Sequence, residues 1–269
     1  MSLSSMIWFQ GESNNGQDAL YECMQPGMIN QWRKDFDNAA AFFGFVEMEP
    51  WIGGPTPDFR PAQLAALALP YVGYGTATDC GDPTGPDGSE SMLLRCAPGE
   101  CLWRHTTRLR LSALSPPLLI SSGIHPRNKK LIGARLAAAA LSMQYGIPTP
   151  WKSPSYRRCV ASGSSGSAVA TVTLDDLPST LVAAADHCKT ELGVPASQCA
   201  WFTIVGSDAK AYNATAAPSA DGKSLVLTAA VPAGTTTAAT SFGYSEWPIN
   251  TIMSAEGLPL QPWAPTPCV

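Results

Sequence analysis

The sequence has no long hydrophobic run and no strong excess of charge of one sign. It lacks any stretch of about 18 apolar residues, so it predicts no helix that spans a membrane. The 17 Lys and Arg are balanced by 21 Asp and Glu, and no basic cluster is longer than residues 127–130. This charge pattern predicts neither a nucleic-acid surface nor binding to anionic membranes, and it suits a small neutral or acidic substrate.

Motifs that bind metals through cysteine and histidine are also missing. The chain has three histidines and no CxxC or HExxH spacing, so we predict neither a zinc site nor a cofactor. Its eight cysteines and the sequon at Asn213 instead favour a secreted or lysosomal glycoprotein with disulfides, among which Cys188 with Cys199 is plausible. Cysteines that are only small buried hydrophobes, with a chance sequon, are the alternative. Residues 1–6 do not have the basic and apolar regions of a signal peptide.

The pattern of apolar residues changes near residue 150. Before it, short apolar runs alternate with helical patterns, which predicts an α/β layer with strands at 7–9, 42–48 and 72–78 and helices at 17–36, 60–69 and 129–145. A break is expected in the first helix near Pro26. After residue 150, runs such as AVATVTL and SLVLTAAV are separated by turn residues, which predicts a β domain. We therefore predict an α/β domain over residues 1–150 and a small β-sandwich-like domain over residues 151–269.

Two motifs contain the candidate catalytic residues. The segment WFQGESN begins at Trp8 and follows a predicted buried strand, so its polar residues lie at a carboxyl end, where ligands bind in α/β sheets. The segment GIHPRNK contains His125, and Pro126 keeps that histidine out of the α conformation and begins a helix. His125 is a candidate general base. A histidine at a helix start that only binds backbone groups is the alternative.

The order and spacing of WFQGESN, NQWR, FRPAQ, TDCGDP and GIHPRNK resemble the sialate O-acetylesterases, a family of SGNH-type carbohydrate esterases. The segments CAWF and GYSEWP extend the resemblance more weakly into the last third of the chain. The resemblance implies a three-layer α/β SGNH-hydrolase domain with a parallel sheet, followed by a small C-terminal β domain. It also implies a serine hydrolase that removes O-acetyl groups from sialic acid or another acetylated carbohydrate.

The resemblance also implies roles for individual residues. Gln10 and Gly11 would lie at the oxyanion hole. The residues implied at the substrate side are Glu12, Asn14, Arg60 and Gln63.

Two of these assignments have open alternatives. Arg60 could bind the carboxylate of a sialic acid, or it could be a solvated arginine on a helix face. Glu12 could brace the loop, or it could only accept hydrogen bonds from backbone N–H groups at a helix start.

The chain departs from the family at the nucleophile. The family serine lies in a GQSNM block, which this sequence does not contain, so we expect the first strand block to be missing and the enzyme to be incomplete or inactive as written. Ser13 is a weak substitute, because the GxSxG pattern needs glycine where Asn15 stands. A non-catalytic carbohydrate-binding or structural descendant of the same scaffold is the alternative function.

The acid of the site and residues 89–122 are further departures. Many relatives have an aspartate two residues before the histidine, where this chain has Gly123. Asp82 is therefore the predicted acid, with Asp79 as a second candidate and Asp87 as a spare. Residues 89–122 are an atypical insertion between the TDCGDP and GIHPRNK segments, and they are interpreted either as a true insertion or as a translated intron.

Overall fold

A computed structural model describes most of the chain. The described residues are 3–51, 53–82, 91–97, 100–104, 118–121, 125–164, 166–184 and 201–269. The predicted Cys188–Cys199 pair, Gly123 and Asp87 lie outside them.

A three-stranded parallel sheet forms the centre of the first half. Its strands are β1 (Ser5–Trp8), β2 (Phe42–Glu47) and β3 (Val72–Thr76), in the order β1-β2-β3. All residues of β2 and β3 are buried, as expected for strands of a parallel sheet that is covered on both faces. The three predicted strands are confirmed, with ends that differ by one or two residues.

The described part of residues 89–122 contains three short strands. They are β4 (Ser91–Ala97), β5 (Glu100–Arg104) and β6 (Leu118–Ser121), and they form a separate antiparallel sheet in the order β5-β4-β6. No secondary structure is predicted from the sequence for this segment.

Three α-helices accompany the parallel sheet, namely α1 (Asp18–Asp35), α2 (Phe59–Leu64) and α3 (Lys130–Gln144). Helix α1 runs through Pro26 without the predicted break, because Tyr21 and Ile29 on either side of the proline are buried and their packing offsets the cost of a proline inside a helix. Ile29 of α1 packs with Phe43 and Phe45, which lie on one face of β2.

The other face of the sheet carries α3. Val46 packs with Ile132 and Leu136 there. Gly75 permits this approach, because a Cβ at that position would lie 2.9 Å from the backbone nitrogen of Leu136. The sheet is therefore covered by helices on both faces.

Seven strands between residues 155 and 267 form an antiparallel sheet. In chain order they are β7 (Ser155–Ser164), β8 (Ser167–Asp175), β10 (Phe202–Gly206), β11 (Ala211–Pro218), β12 (Ser224–Ala230), β13 (Thr237–Phe242) and β15 (Trp263–Pro267). Their order in the sheet is β15-β13-β10-β11-β12-β8-β7. A smaller sheet pairs β9 (Leu181–Ala183) with β14 (Ile252–Ser254). A disulfide joins Cys159 to Cys268. The division into two domains at residue 150 stays a prediction.

Among the described residues, none of the helices is long and apolar enough to cross a membrane. Nor does that part of the chain bring three or more His, Cys, Asp or Glu side chains together as a metal site would require.

Candidate active site

The WFQGESN loop leaves the carboxyl end of β1 and is held by its own side chains. The hydroxyl of Tyr21, on α1, donates to the Gln10 carbonyl oxygen at 3.0 Å. The Gln10 amide donates to Asn14 Oδ1 at 2.8 Å, and the Asn14 amide donates to Gln17 Oε1 at 3.1 Å. Burial, as the largest influence, raises the pKa of Tyr21, which keeps its hydroxyl protonated as a donor. The loop is therefore preorganised before any substrate arrives.

Gly11 has no room for a side chain. A Cβ at this position would lie 2.6 Å from Cε1 of Phe59, a ring that is fully buried. The Gly11 N–H donates to Glu12 Oε2 at 3.0 Å. The Glu12 carboxylate thus accepts a backbone N–H at the start of the 3₁₀ helix Glu12–Asn14, which is the arrangement given above as its alternative role.

Gly11→Ala is expected to destabilise the protein by about 1–3 kcal/mol, because the added methyl group must displace the Phe59 ring or the loop. Gly27→Ala is the matched control. Gly27 lies inside α1 with no atom within 4 Å of a Cβ, so alanine should stabilise the helix by about 0.5–1 kcal/mol. Urea unfolding measures both changes. Equal effects in the two variants would contradict the steric explanation.

Gln63 links the first two strands. Its side-chain oxygen accepts a hydrogen bond from the Met48 N–H at 2.9 Å. Its side-chain nitrogen donates to the Val46 carbonyl oxygen at 3.2 Å and to the Gln10 carbonyl oxygen at 3.5 Å. The side chain is fully buried. It therefore fixes the backbone of the predicted oxyanion residue relative to the end of β2.

Arg60 is buried, with 2% of its surface exposed, so the alternative of a solvated arginine is wrong. Its guanidinium donates to the Met48 carbonyl at 2.9 Å, to the Glu246 carbonyl at 3.1 Å and to the Ser245 carbonyl at 3.4 Å. Burial lowers the pKa of Arg60 to about 10, and it still carries its charge at neutral pH. Arg60 thus ties the GYSEWP segment to the end of β2.

The segment around His125 lies at the same end of the sheet as the WFQGESN loop. His125 is exposed. Arg127 binds Asp82 through two side-chain hydrogen bonds of 2.6 and 2.8 Å. The Lys129 ammonium lies 4.2 Å from the centroid of the Phe9 ring, directly after β1. Two motifs far apart in sequence therefore meet in the structure.

Of the three aspartates considered as the acid, the two that the structure describes both bind arginines. Asp82 pairs with Arg127, and the described hydrogen bonds include none between Asp82 and His125. Asp79 makes a buried pair with Arg135, with side-chain bonds of 2.6 and 2.8 Å. The role of Asp82 as the acid stays a prediction.

Ser13 is exposed on the 3₁₀ turn, and no hydrogen bond between it and His125 is present among the described residues. Its role as a substitute nucleophile also stays a prediction.

One buried acid was missed by the motif reasoning. Glu49 lies two residues beyond β2 and is fully buried, and neither of its carboxylate oxygens has a hydrogen-bond partner. Burial raises the pKa of Glu49 to about 7, with Lys129 and Arg60 acting to lower it and Glu12 acting to raise it. The signal in the sequence was a carboxylate directly after the buried run FFGFVEM.

The same fold occurs in an esterase of known structure. A carbohydrate acetylesterase from Xanthomonas citri superimposes with a TM-score of 0.64 at 24% identity, over 97% of this chain and 50% of that one. This similarity, together with the parallel sheet and its helices, shows that the chain shares the α/β fold of that protein. No family model matches the chain.

The sequence is similar to sialate O-acetylesterases. The one from Rattus norvegicus is 25% identical over 154 residues, covering 54% of this chain and 24% of the relative. The one from Homo sapiens is 25% identical over 158 residues, covering 54% and 25%. The resemblance predicted from the motifs is thereby confirmed, and the chain spans about a quarter of the length of the curated relatives it matches.

Proposed function

We propose that the chain belongs to a carbohydrate acetylesterase that removes O-acetyl groups from sialic acids or related acetylated sugars. The observation that carries the proposal is the meeting of the WFQGESN loop and the His125 segment at one end of the parallel sheet, where Lys129 lies over Phe9. Ligands bind at this end of α/β sheets. The similarities to a carbohydrate acetylesterase and to sialate O-acetylesterases support it.

In this proposal the chemical steps are those of an SGNH-type serine hydrolase. His125 removes the proton from the attacking serine and later returns it to the leaving sugar hydroxyl. Gln10 donates a hydrogen bond to the tetrahedral oxyanion, for which its amide has a second N–H besides the one that binds Asn14, and Gly11 permits a close approach. The rigid support of the loop by Tyr21 and Gln63 holds this donor in place. Glu12, Asn14 and Arg60 would act in binding or support.

The serine of this mechanism lies in a GQSNM block that residues 1–269 do not contain. The chain as written is accordingly incomplete or inactive as an esterase in this proposal. A secreted or lysosomal location is part of the same proposal, and the exposed position of the sequon residue Asn213 on β11 suits it.

His125→Ala is expected to abolish acetate release from O-acetylated sialic acid, because the base that activates the serine is lost. Release is measured for the chain alone and after addition of a segment that carries GQSNM. Lys130→Ala, at the exposed start of α3, is the control. Equal and measurable release from wild type and His125→Ala after addition of the GQSNM segment would contradict the proposal.

A non-catalytic carbohydrate-binding descendant is the second candidate, and the missing GQSNM block favours it. It predicts no acetate release under either condition, together with binding of the acetylated sugar that calorimetry detects. Restored release on addition of the GQSNM segment would decide against it.

A further inference from the structure

Lys129 places a positive charge beside the predicted oxyanion residue. It directly precedes α3, and its ammonium lies 4.2 Å from the centroid of the Phe9 ring. Phe9 is the residue before Gln10. The face of an aromatic ring attracts a cation, and this attraction limits the motion of the otherwise flexible lysine side chain. The charge is therefore held at the loop on which the proposed chemistry takes place.

The Phe9 ring is a rigid support for this charge. It packs against two clusters of buried side chains, one that includes Phe59 and one that includes Val46. The position of the ring is therefore fixed by the core. Lys129 itself is exposed, and an ammonium has three N–H donors, so the side chain can bind a ligand while it lies over the ring.

Three arginines at this end of the sheet already bind protein groups. Arg60 is buried and donates to three backbone carbonyl oxygens. Arg135 is buried in its pair with Asp79. Arg127 binds Asp82 through two side-chain hydrogen bonds. A negatively charged ligand would have to break one of these sets of bonds before it could bind an arginine here.

The charge of Lys129 is not cancelled in this way. The part of the chain that the structure describes contains no ion pair of Lys129. Lys129 acts electrostatically on Glu49, which is fully buried, whereas Lys129 is exposed. Burial raises the pKa of Glu49 to about 7, so below neutral pH that acid is mostly uncharged. The ammonium is therefore available to an anion.

Helix stability does not explain a lysine at this position. The start of a helix has a partial positive charge, which favours acids there and disfavours cations. Lys129 nevertheless stands directly before α3, and the first turn of that helix contains no acid. A negatively charged ligand would offset this cost.

We propose that Lys129 binds the carboxylate of an acidic sugar, so that the substrate is an O-acetylated sialic acid rather than a neutral acetylated sugar. The inference rests on the proposed function. The ammonium donates to a carboxylate oxygen while the ester of the same sugar lies at Gln10, and two contacts of this kind fix the orientation of the ester. Arg60, the other candidate for this carboxylate, is buried against the GYSEWP segment instead.

Lys129→Met removes the charge and keeps most of the length of the side chain. We expect it to weaken binding of O-acetylated sialic acid about 5- to 10-fold. Binding of the methyl ester of the same sugar, in which the carboxylate is neutral, should not change. Calorimetry on the chain as written measures both dissociation constants and needs no catalytic serine. Lys130→Met is the matched control, because it makes the same change one residue later at the exposed start of α3.

The outcomes separate this inference from the proposed function. A wild type that binds the acid and the methyl ester equally tightly would overturn the inference and leave the proposed function standing. Equal weakening for both sugars in Lys129→Met, or the same selective weakening in Lys130→Met, would also overturn it. Selective weakening in Lys129→Met without acetate release after addition of the GQSNM segment would instead count against the proposed function. Binding of neither sugar by the wild type would count against both.

Discussion

Replacing Asp79 with asparagine is expected to destabilise the protein by about 3–5 kcal/mol, because it leaves the buried charge of Arg135 without a counterion. The two side chains are 2% and 5% exposed. Burial acts to lower the pKa of Arg135, but the hydrogen bonds and charge of Asp79 oppose it, and the net pKa is raised. The charge therefore stays on Arg135 at neutral pH.

The same substitution should loosen more than one part of the fold. The Arg135 guanidinium also donates to the Thr76 carbonyl at 2.8 Å and to the Gly257 carbonyl at 2.9 Å. It thereby joins α3 to the end of β3 and to a turn near the C-terminus. Loss of the Asp79 anchor should release that turn, and amide hydrogen exchange around Gly257 would detect the change.

Asp82→Asn is the control for this prediction. It makes the same chemical change in the same loop, but its partner Arg127 is 59% exposed, and surface ion pairs contribute about 0–1 kcal/mol. Urea unfolding at neutral pH compares the two variants. Equal destabilisation would contradict the assignment of Asp79 and Arg135 as a buried structural pair.

Stability is expected to fall by about 3 kcal/mol as the pH rises from about 4.5 to about 7, because of Glu49. Its pKa is about 7 in the folded protein against an ordinary value of 4.5. Since the folded state binds this proton more tightly than the unfolded chain does, the stabilisation is complete below the unfolded-state pKa of 4.5. It is lost as the pH rises through the folded-state pKa of about 7.

Glu49→Gln should remove most of this slope and should make the protein more stable than wild type at about pH 8. Burial also raises the pKa of Glu47, which acts in the same direction and would leave a residual slope. Glu22→Gln, at an exposed position on α1, should keep the full slope. A wild-type stability that is flat over this range, or a Glu49→Gln variant less stable at about pH 8, would contradict the prediction. The second result would indicate that Glu49 is a structural residue.

The order of strands and helices in the first half followed from the sequence. Apolar runs of strand length and the helical pattern of residues 129–145 depend on local chemistry, and the structure confirms each of these elements. The motifs also determined the esterase resemblance, because they keep their order and spacing. The uninterrupted course of α1 through Pro26 was not predicted, since packing of Ile29 against the sheet decides it.

The partners of the charged residues were decided only by the tertiary structure. No local pattern indicates that Arg60 is buried against the GYSEWP segment, that Asp79 and Asp82 bind different arginines, or that Cys159 pairs with Cys268. These contacts join residues that are distant along the chain, and periodicity carries no information about them. The burial of Glu49 belongs to the same class, because desolvation depends on every segment that covers the end of β2.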